Sequence, residues 1–166
     1  MGGNGSATTF VLTGTTKGFN YVISLKERYI KEEIDPDQLN KMFLDFVLEC
    51  LIEYKNITEI RCDSAEQVLI RGLKNALIKK GIAIPVRNAI KGEILERIRF
   101  NQFMFAVNRY FILDTCPKLI DAFENAIWKE DGDDERLDDG TTNIDSLDAE
   151  EYSIEKYIPI ITKMPR

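Results

Sequence analysis

Four carboxylates stand where they could hold a metal ion: Asp63, Glu66, Asp145 and Asp148. Asp63 follows Ile57 to Cys62, a run that reads as a short strand. In open α/β sheets, sites gather at the carboxyl ends of strands. Asp145 and Asp148 are spaced i, i+3, so both lie on one side of a helix and can reach a common cation. Hard divalent ions take oxygen donors of this kind, Mg²⁺ at about 2.0–2.2 Å, with water and phosphate completing the shell. The same positions also have a structural use. Asp63 can cap the helix that follows it, and Asp145 can be an N-cap with Asp148 at N3. Spacing alone leaves both uses open.

The rest of the composition narrows the chemistry. The 166 residues contain no histidine, which removes Ser-His-Asp and Cys-His catalysis and every His-containing zinc site. The three cysteines, Cys50, Cys62 and Cys116, form no C-x-x-C pair, a usage expected of a reducing, cytoplasmic setting. Cys62 reads as a small core residue. Neither a signal peptide nor an apolar run long enough for a membrane span is visible, so the expected partners exclude a membrane. Gly2-Gly3-Asn4-Gly5-Ser6 could form a backbone nest for phosphate or a plain tight turn. It lacks the lysine of a P-loop, and ATP hydrolysis is therefore not expected. The net charge of -6 means that any nucleic-acid surface is local. One candidate is the stretch from Lys79 to Arg99, with Lys79, Lys80, Arg87, Lys91, Arg97 and Arg99 against Glu93 and Glu96; it reads either as a phosphate-binding strip or as a solvated face. Trp128 and the Phe-rich segment from Phe100 to Phe111 read as core.

The elements that must position these residues follow from apolar periodicity. Ala7–Thr15 and Phe19–Tyr29 predict a β-hairpin or meander with Gly14 and Gly18 as turn residues. Asp35-Pro36-Asp37 opens a helix to about Tyr54, with Leu39, Met42, Phe43, Phe46, Val47, Cys50 and Leu51 inward. After the strand ending at Cys62, Asp63-Ser64 caps a helix with Ala65, Val68, Leu69, Leu73 and Leu77 inward, stopped at Gly81. A strand at Ile82–Val86, a helix from Gly92 to about Ala106, a strand at Tyr110–Leu113 and a helix from Pro117 to Trp128 come next. The acidic segment of about 130–143 predicts a loop, Asp145–Tyr157 a last helix, and the tail after Pro159 a ragged end. The expectation is one domain over 1–166: an α/β fold with a mixed sheet and helices on both faces.

Four segments, taken in order, resemble the C-terminal nuclease domain of phage terminase large subunits, which has an RNase H-like fold. Asp63-Ser64-Ala65-Glu66 looks like the D-S-A-E at the end of that family's central strand, and Ala89-Ile90-Lys91-Gly92 is similar to its A-x-K-G. Cys116 through Trp128 is similar to its C-x-x-L-I segment leading to a Trp. Asp148-Ala149-Glu150-Glu151-Tyr152 looks like its D-A-x-R-Y. The resemblance runs over about residues 2–160.

The resemblance implies a divalent-metal-dependent endonuclease that cuts double-stranded DNA during viral genome packaging, with Mg²⁺ or Mn²⁺ in a two-metal site whose ions lie about 3.5–4 Å apart. Carried over by position, Asp63 and Asp148 are the catalytic and metal-binding carboxylates. Asp145, where many family members have His, is an auxiliary ligand, and Glu151 stands in place of the family's Arg. Lys91, Arg97 and Arg87 are the expected contacts to the DNA backbone. Partners implied are double-stranded DNA, a terminase ATPase domain, a small terminase subunit and a portal, in the cytoplasm of a bacterial host. The family places a first metal-binding Asp just before its Gly-rich turn. Met1-Gly2-Gly3-Asn4-Gly5-Ser6 begins just after that position, so the expected fold has its first strand truncated and one ligand missing. Two other readings are a non-catalytic DNA-gripping or docking module and another RNase H-like nuclease such as a junction resolvase.

Overall fold

A computed structural model describes residues 7–63, 67–126 and 143–163. In chain order the elements are β1 (Thr8–Thr15), β2 (Val22–Ile30), α1 (Pro36–Glu53), β3 (Ile60–Cys62), α2 (Gln67–Lys79), β4 (Val86–Asn88), α3 (Ile94–Ala106), β5 (Tyr110–Ile112), α4 (Pro117–Asn125), α5 (Ile144–Ile154) and α6 (Ile158–Ile161). Single 3-10 turns lie at Lys17–Phe19 and Glu155–Tyr157. The class is mixed α/β, as the periodicity predicts. The chain divides into two compact units, one of residues 1–31 and 90–166 and one of residues 32–89, where composition led to the expectation of a single domain.

In the first unit, β1 and β2 form the expected antiparallel hairpin, in register from Thr8 opposite Ile30 to Thr15 opposite Val22. Gly18 turns the chain with φ +76°, a conformation open to glycine at little cost. Gly14, read as a turn residue, is instead paired within β1 opposite Ile23. β5 adds to β2 in parallel, giving a three-stranded mixed sheet in the order β1-β2-β5. α5 packs on β1, and α4 packs on α5. Val22, Phe100, Met104, Tyr110, Ile154 and Ile161 make one buried cluster; Cys116, Leu119, Ala122 and Leu147 make another. Each large side chain in them contributes about 1.5–3 kcal/mol by leaving water. Ile161 of α6 belongs to the first of these clusters, so helix and core continue to Ile161, past the Pro159 after which the sequence predicts a ragged end. The apolar Ile158-Pro159-Ile160-Ile161 run continues the helical path for one more turn.

In the second unit, Asp35 caps α1. Its carboxylate accepts from the amides of Asp37 and Gln38, and the Gln38 side chain returns the bond to the Asp35 amide. α1 buries Phe43, Phe46, Val47 and Cys50 and packs on α2, which buries Ile70, Leu73 and Leu77. The predicted stripe on α2 is thus displaced: Ile70 is inside and Val68 is 68% exposed. Gly72 lets the helices approach closely, since a Cβ there would come within 2.8 Å of Asn40 Oδ1. β3 and β4 form a separate two-stranded parallel sheet, Ile60 opposite Val86 and Cys62 opposite Asn88. The strand predicted at Ile82–Val86 therefore lies later, at Val86–Asn88. Pro85 explains the shift: without an N–H it offers the ladder only its carbonyl, which accepts from the Ile60 amide at 2.9 Å.

The acidic 130–143 segment lies, but for its last residue, outside the described residues. So do Trp128, the Gly2–Ser6 run and Ser64-Ala65-Glu66. Among the described residues no helix is long and apolar enough to cross a membrane.

Candidate active site

α5 carries two of the expected ligands, and its start differs from the sequence reading. The N-cap is Asn143, whose side-chain oxygen accepts from the Ser146 amide at 3.2 Å. Asp145 is therefore inside the first turn and is not the cap. Its Oδ2 accepts from the Ala7 amide at 2.7 Å, next to the start of β1. Burial, with the Asp145 and Asp121 charges adding to it, pushes the Tyr29 hydroxyl upward. Asp148 follows one turn later with its side chain 35% exposed. The two carboxylates are thus one turn apart on one helix, as the i, i+3 spacing requires.

Behind Asp148 the helix turns inward on charged residues. Glu150 and Glu151 are 0% and 1% exposed. They occupy positions between Leu147 and Ile154 where a helix normally carries apolar side chains. Asn101 of α3 donates to Glu150 Oε2 at 3.2 Å, and Glu150 also shares a hydrogen bond with the Tyr110 hydroxyl, which pairs with Ser24 Oγ at 2.9 Å. Burial, then the Glu150 charge, holds that hydroxyl well above its ordinary range. Arg97 answers Glu151: the guanidinium Nη1 is 2.9 Å from Glu151 Oε2 and 3.6 Å from Asp148 Oδ1. Arg97, Phe100, Asn101 and Met104 form the buried face of α3, so Arg97, expected on the DNA backbone, is only 8% exposed and points at carboxylates.

Lys91 is exposed, and its ammonium lies 5.9 Å from the centroid of the Tyr152 ring, with the Arg97 guanidinium 5.5 Å from the same ring. Lys91 takes φ +57°. This turn is held by Glu155, which accepts from the Lys91 amide at 3.0 Å and from the Gly92 amide. A Cβ at Gly92 would meet Glu155 Oε1 at 3.0 Å. The Lys91-Gly92 pair is therefore the way into α3, fastened to the end of α5.

Asp63 and Arg87 belong to the unit of residues 32–89, and Asp145, Asp148, Lys91 and Arg97 to the other. Asp63 is exposed and directly follows β3, whose last carbonyl, that of Cys62, accepts from the Ala89 amide at 2.7 Å. Burial, with the Asp63 charge assisting, pushes the Cys62 thiol up to about 11. Cys62 is half-buried, where the sequence reading has it as a core residue. Arg87, opposite Arg61 on the adjacent strand, is 61% exposed and lies 3.6 Å from Glu59, which Arg61 contacts at 3.1 Å.

The donors are hard carboxylate oxygens, the class that Mg²⁺ and Mn²⁺ prefer, and Asp145 and Asp148 stand one turn apart on α5. Among the described residues no cluster of three His, Cys, Asp or Glu side chains is assembled around one point. Sequence reasoning missed Glu150, Glu151, Glu155 and Asn101. The signal for the first two was present, since 150 and 151 fall i+3 and i+4 from Leu147 on the inward face.

No family model matches this sequence, and no curated protein matches it. Among solved structures, the chain is similar to the crystal structure of the g2p (large terminase) nuclease domain from the bacteriophage SPP1 with bound Mn. The TM-score is 0.64 and the identity 21%, over 93% of this chain and 81% of that one. The similarity extends across both compact units. The chain therefore has the RNase H-like fold of a large-terminase nuclease domain.

Proposed function

We propose that this chain is a divalent-metal-dependent endonuclease domain that cuts double-stranded DNA during viral genome packaging. The observation that carries the reading is Asp148, a third exposed and one turn from Asp145, in a fold shared with a nuclease domain crystallised with Mn. Asp63, exposed at the carboxyl end of β3, supports it from the position where α/β folds place reactive groups. In this reading Asp63 and Asp148 hold Mg²⁺ or Mn²⁺, with Asp145 as an auxiliary ligand. The ions, when bound, supply an activated water and charge neutralisation at the scissile phosphate. Lys91 and Arg87, both exposed cations, hold the DNA backbone. Partners on this reading are DNA, a terminase ATPase domain, a small terminase subunit and a portal, in the host cytoplasm.

Cleavage of supercoiled plasmid with Mn²⁺ or Mg²⁺ tests the proposal, with Asp63→Asn and Asp148→Asn beside the unchanged chain. Each substitution is expected to cost several kcal/mol of transition-state stabilisation, hence about 100-fold or more in rate. Cutting that survives both sinks the assignment. DNA binding without cutting by the unchanged chain would favour the gripping module.

A further inference from the structure

We infer that Arg97 is the positioning residue of Asp148, and that Glu151 in turn holds Arg97. This rests on the metal-dependent reading of Asp148 and adds a residue that the sequence placed on the DNA backbone. One guanidinium nitrogen, Nη1, lies 2.9 Å from Glu151 and 3.6 Å from Asp148 Oδ1. The two carboxylates differ in exposure: Glu151 is 1% exposed and Asp148 35%. The guanidinium therefore has a buried anchor on one side and a solvent-reaching carboxylate on the other. Arg97 Nε is buried with no hydrogen-bond partner among the described residues. An arrangement selected for stability alone gains little from a buried charge pair, because desolvation offsets the Coulombic attraction. The ion pair at 3.6 Å draws one Asp148 oxygen toward a cation that is itself anchored in the core, and groups that orient a metal-binding carboxylate typically govern metal affinity by about 10–100-fold. The inward Glu151 also accounts for the departure from D-A-x-R-Y, since an Arg there would face Arg97.

The test measures Mn²⁺ binding to the full chain by electron paramagnetic resonance of the free ion, a readout separate from cleavage. Arg97→Gln alone strands Glu151 as a buried carboxylate and endangers folding. Arg97→Gln with Glu151→Gln removes both charges together and leaves a polar side chain at each position. This double variant is expected to melt cooperatively and to bind Mn²⁺ about 10–100-fold more weakly, with Arg97→Lys recovering part of the loss. Asp148→Asn is the control. If Asp148→Asn abolishes binding while the double variant binds as the unchanged chain does, Arg97 is only a counterion for Glu151 and the inference is overturned. If binding is absent, or indifferent to Asp148→Asn, the metal reading itself fails and takes this inference with it.

Discussion

Glu150 and Glu151 take core positions on α5, and each is matched from α3, by Asn101 and Arg97 respectively. Buried carboxylates persist only when partners replace the water they lose. Both partners lie one turn apart on a single face of α3, so two charged substitutions in one helix are answered by two polar residues in another. Cys62 and Cys116 behave oppositely and stay protonated. Burial pushes Cys62 and Cys116 each up to about 11 from an ordinary 9.0. At pH 8 that lowers the thiolate fraction about 100-fold. Iodoacetamide is expected to label both about 100-fold more slowly in the native chain than in urea, read by mass spectrometry of the tryptic peptides. The linkage has a definite sign. A thiol whose pKa rises on folding contributes stability that is present below pH 9 and lost as the pH climbs through about 11. Urea midpoints measured from pH 8 to 11 should fall across that window, and a flat profile would contradict the burial of these thiols.

At the scale of elements, helix starts decide where the candidate ligands point. Asn143 caps α5 and also donates from Nδ2 to the Lys118 carbonyl at 2.9 Å, which ties α5 to α4. Because Asn143 does the capping, Asp145 keeps its carboxylate for the Ala7 amide. The α4 start is capped from a distance: Glu27 of β2 accepts from the amides of Lys118 and Leu119, where the helix's own N-cap, Cys116, offers no side-chain bond. A carboxylate at a helix N-terminus is favoured by the unsatisfied amides and the dipole. Asn143→Ala is expected to cost about 0.5–2 kcal/mol by urea denaturation, toward the upper end because two bonds are lost. It should also weaken Mn²⁺ binding, since the first turn of α5 carries Asp145. An unchanged midpoint would mean that another group caps α5.

For the whole molecule, the charge balance sets how DNA can be met. With a net charge of -6, the DNA binding of the proposed function would depend on a few exposed cations, and Lys91 and Arg87 are exposed where Arg97 is buried. Lys91→Gln and Arg87→Gln are each expected to weaken binding to unrelated duplexes alike and to lower the slope of log K against log salt by about 1, measured by fluorescence anisotropy. Sequence periodicity was enough to determine the mixed α/β class, the hairpin, the order of strands and helices and most of the inward apolar residues, because those follow from side-chain spacing of 2.0 and 3.6 and from local breakers such as Gly81 and Gly18. It also marked Asp145 and Asp148 as neighbours, since i, i+3 proximity is a property of any helix. Only the tertiary structure decided that Arg97 faces Glu151 and Asp148, that Glu155 fastens the Lys91-Gly92 turn, that Asn143 rather than Asp145 caps α5, and that Ile161 is a core residue. Each of these joins residues far apart in the chain or depends on which of two local caps wins, and a charge's partner across such distances is set by packing, which no local pattern encodes.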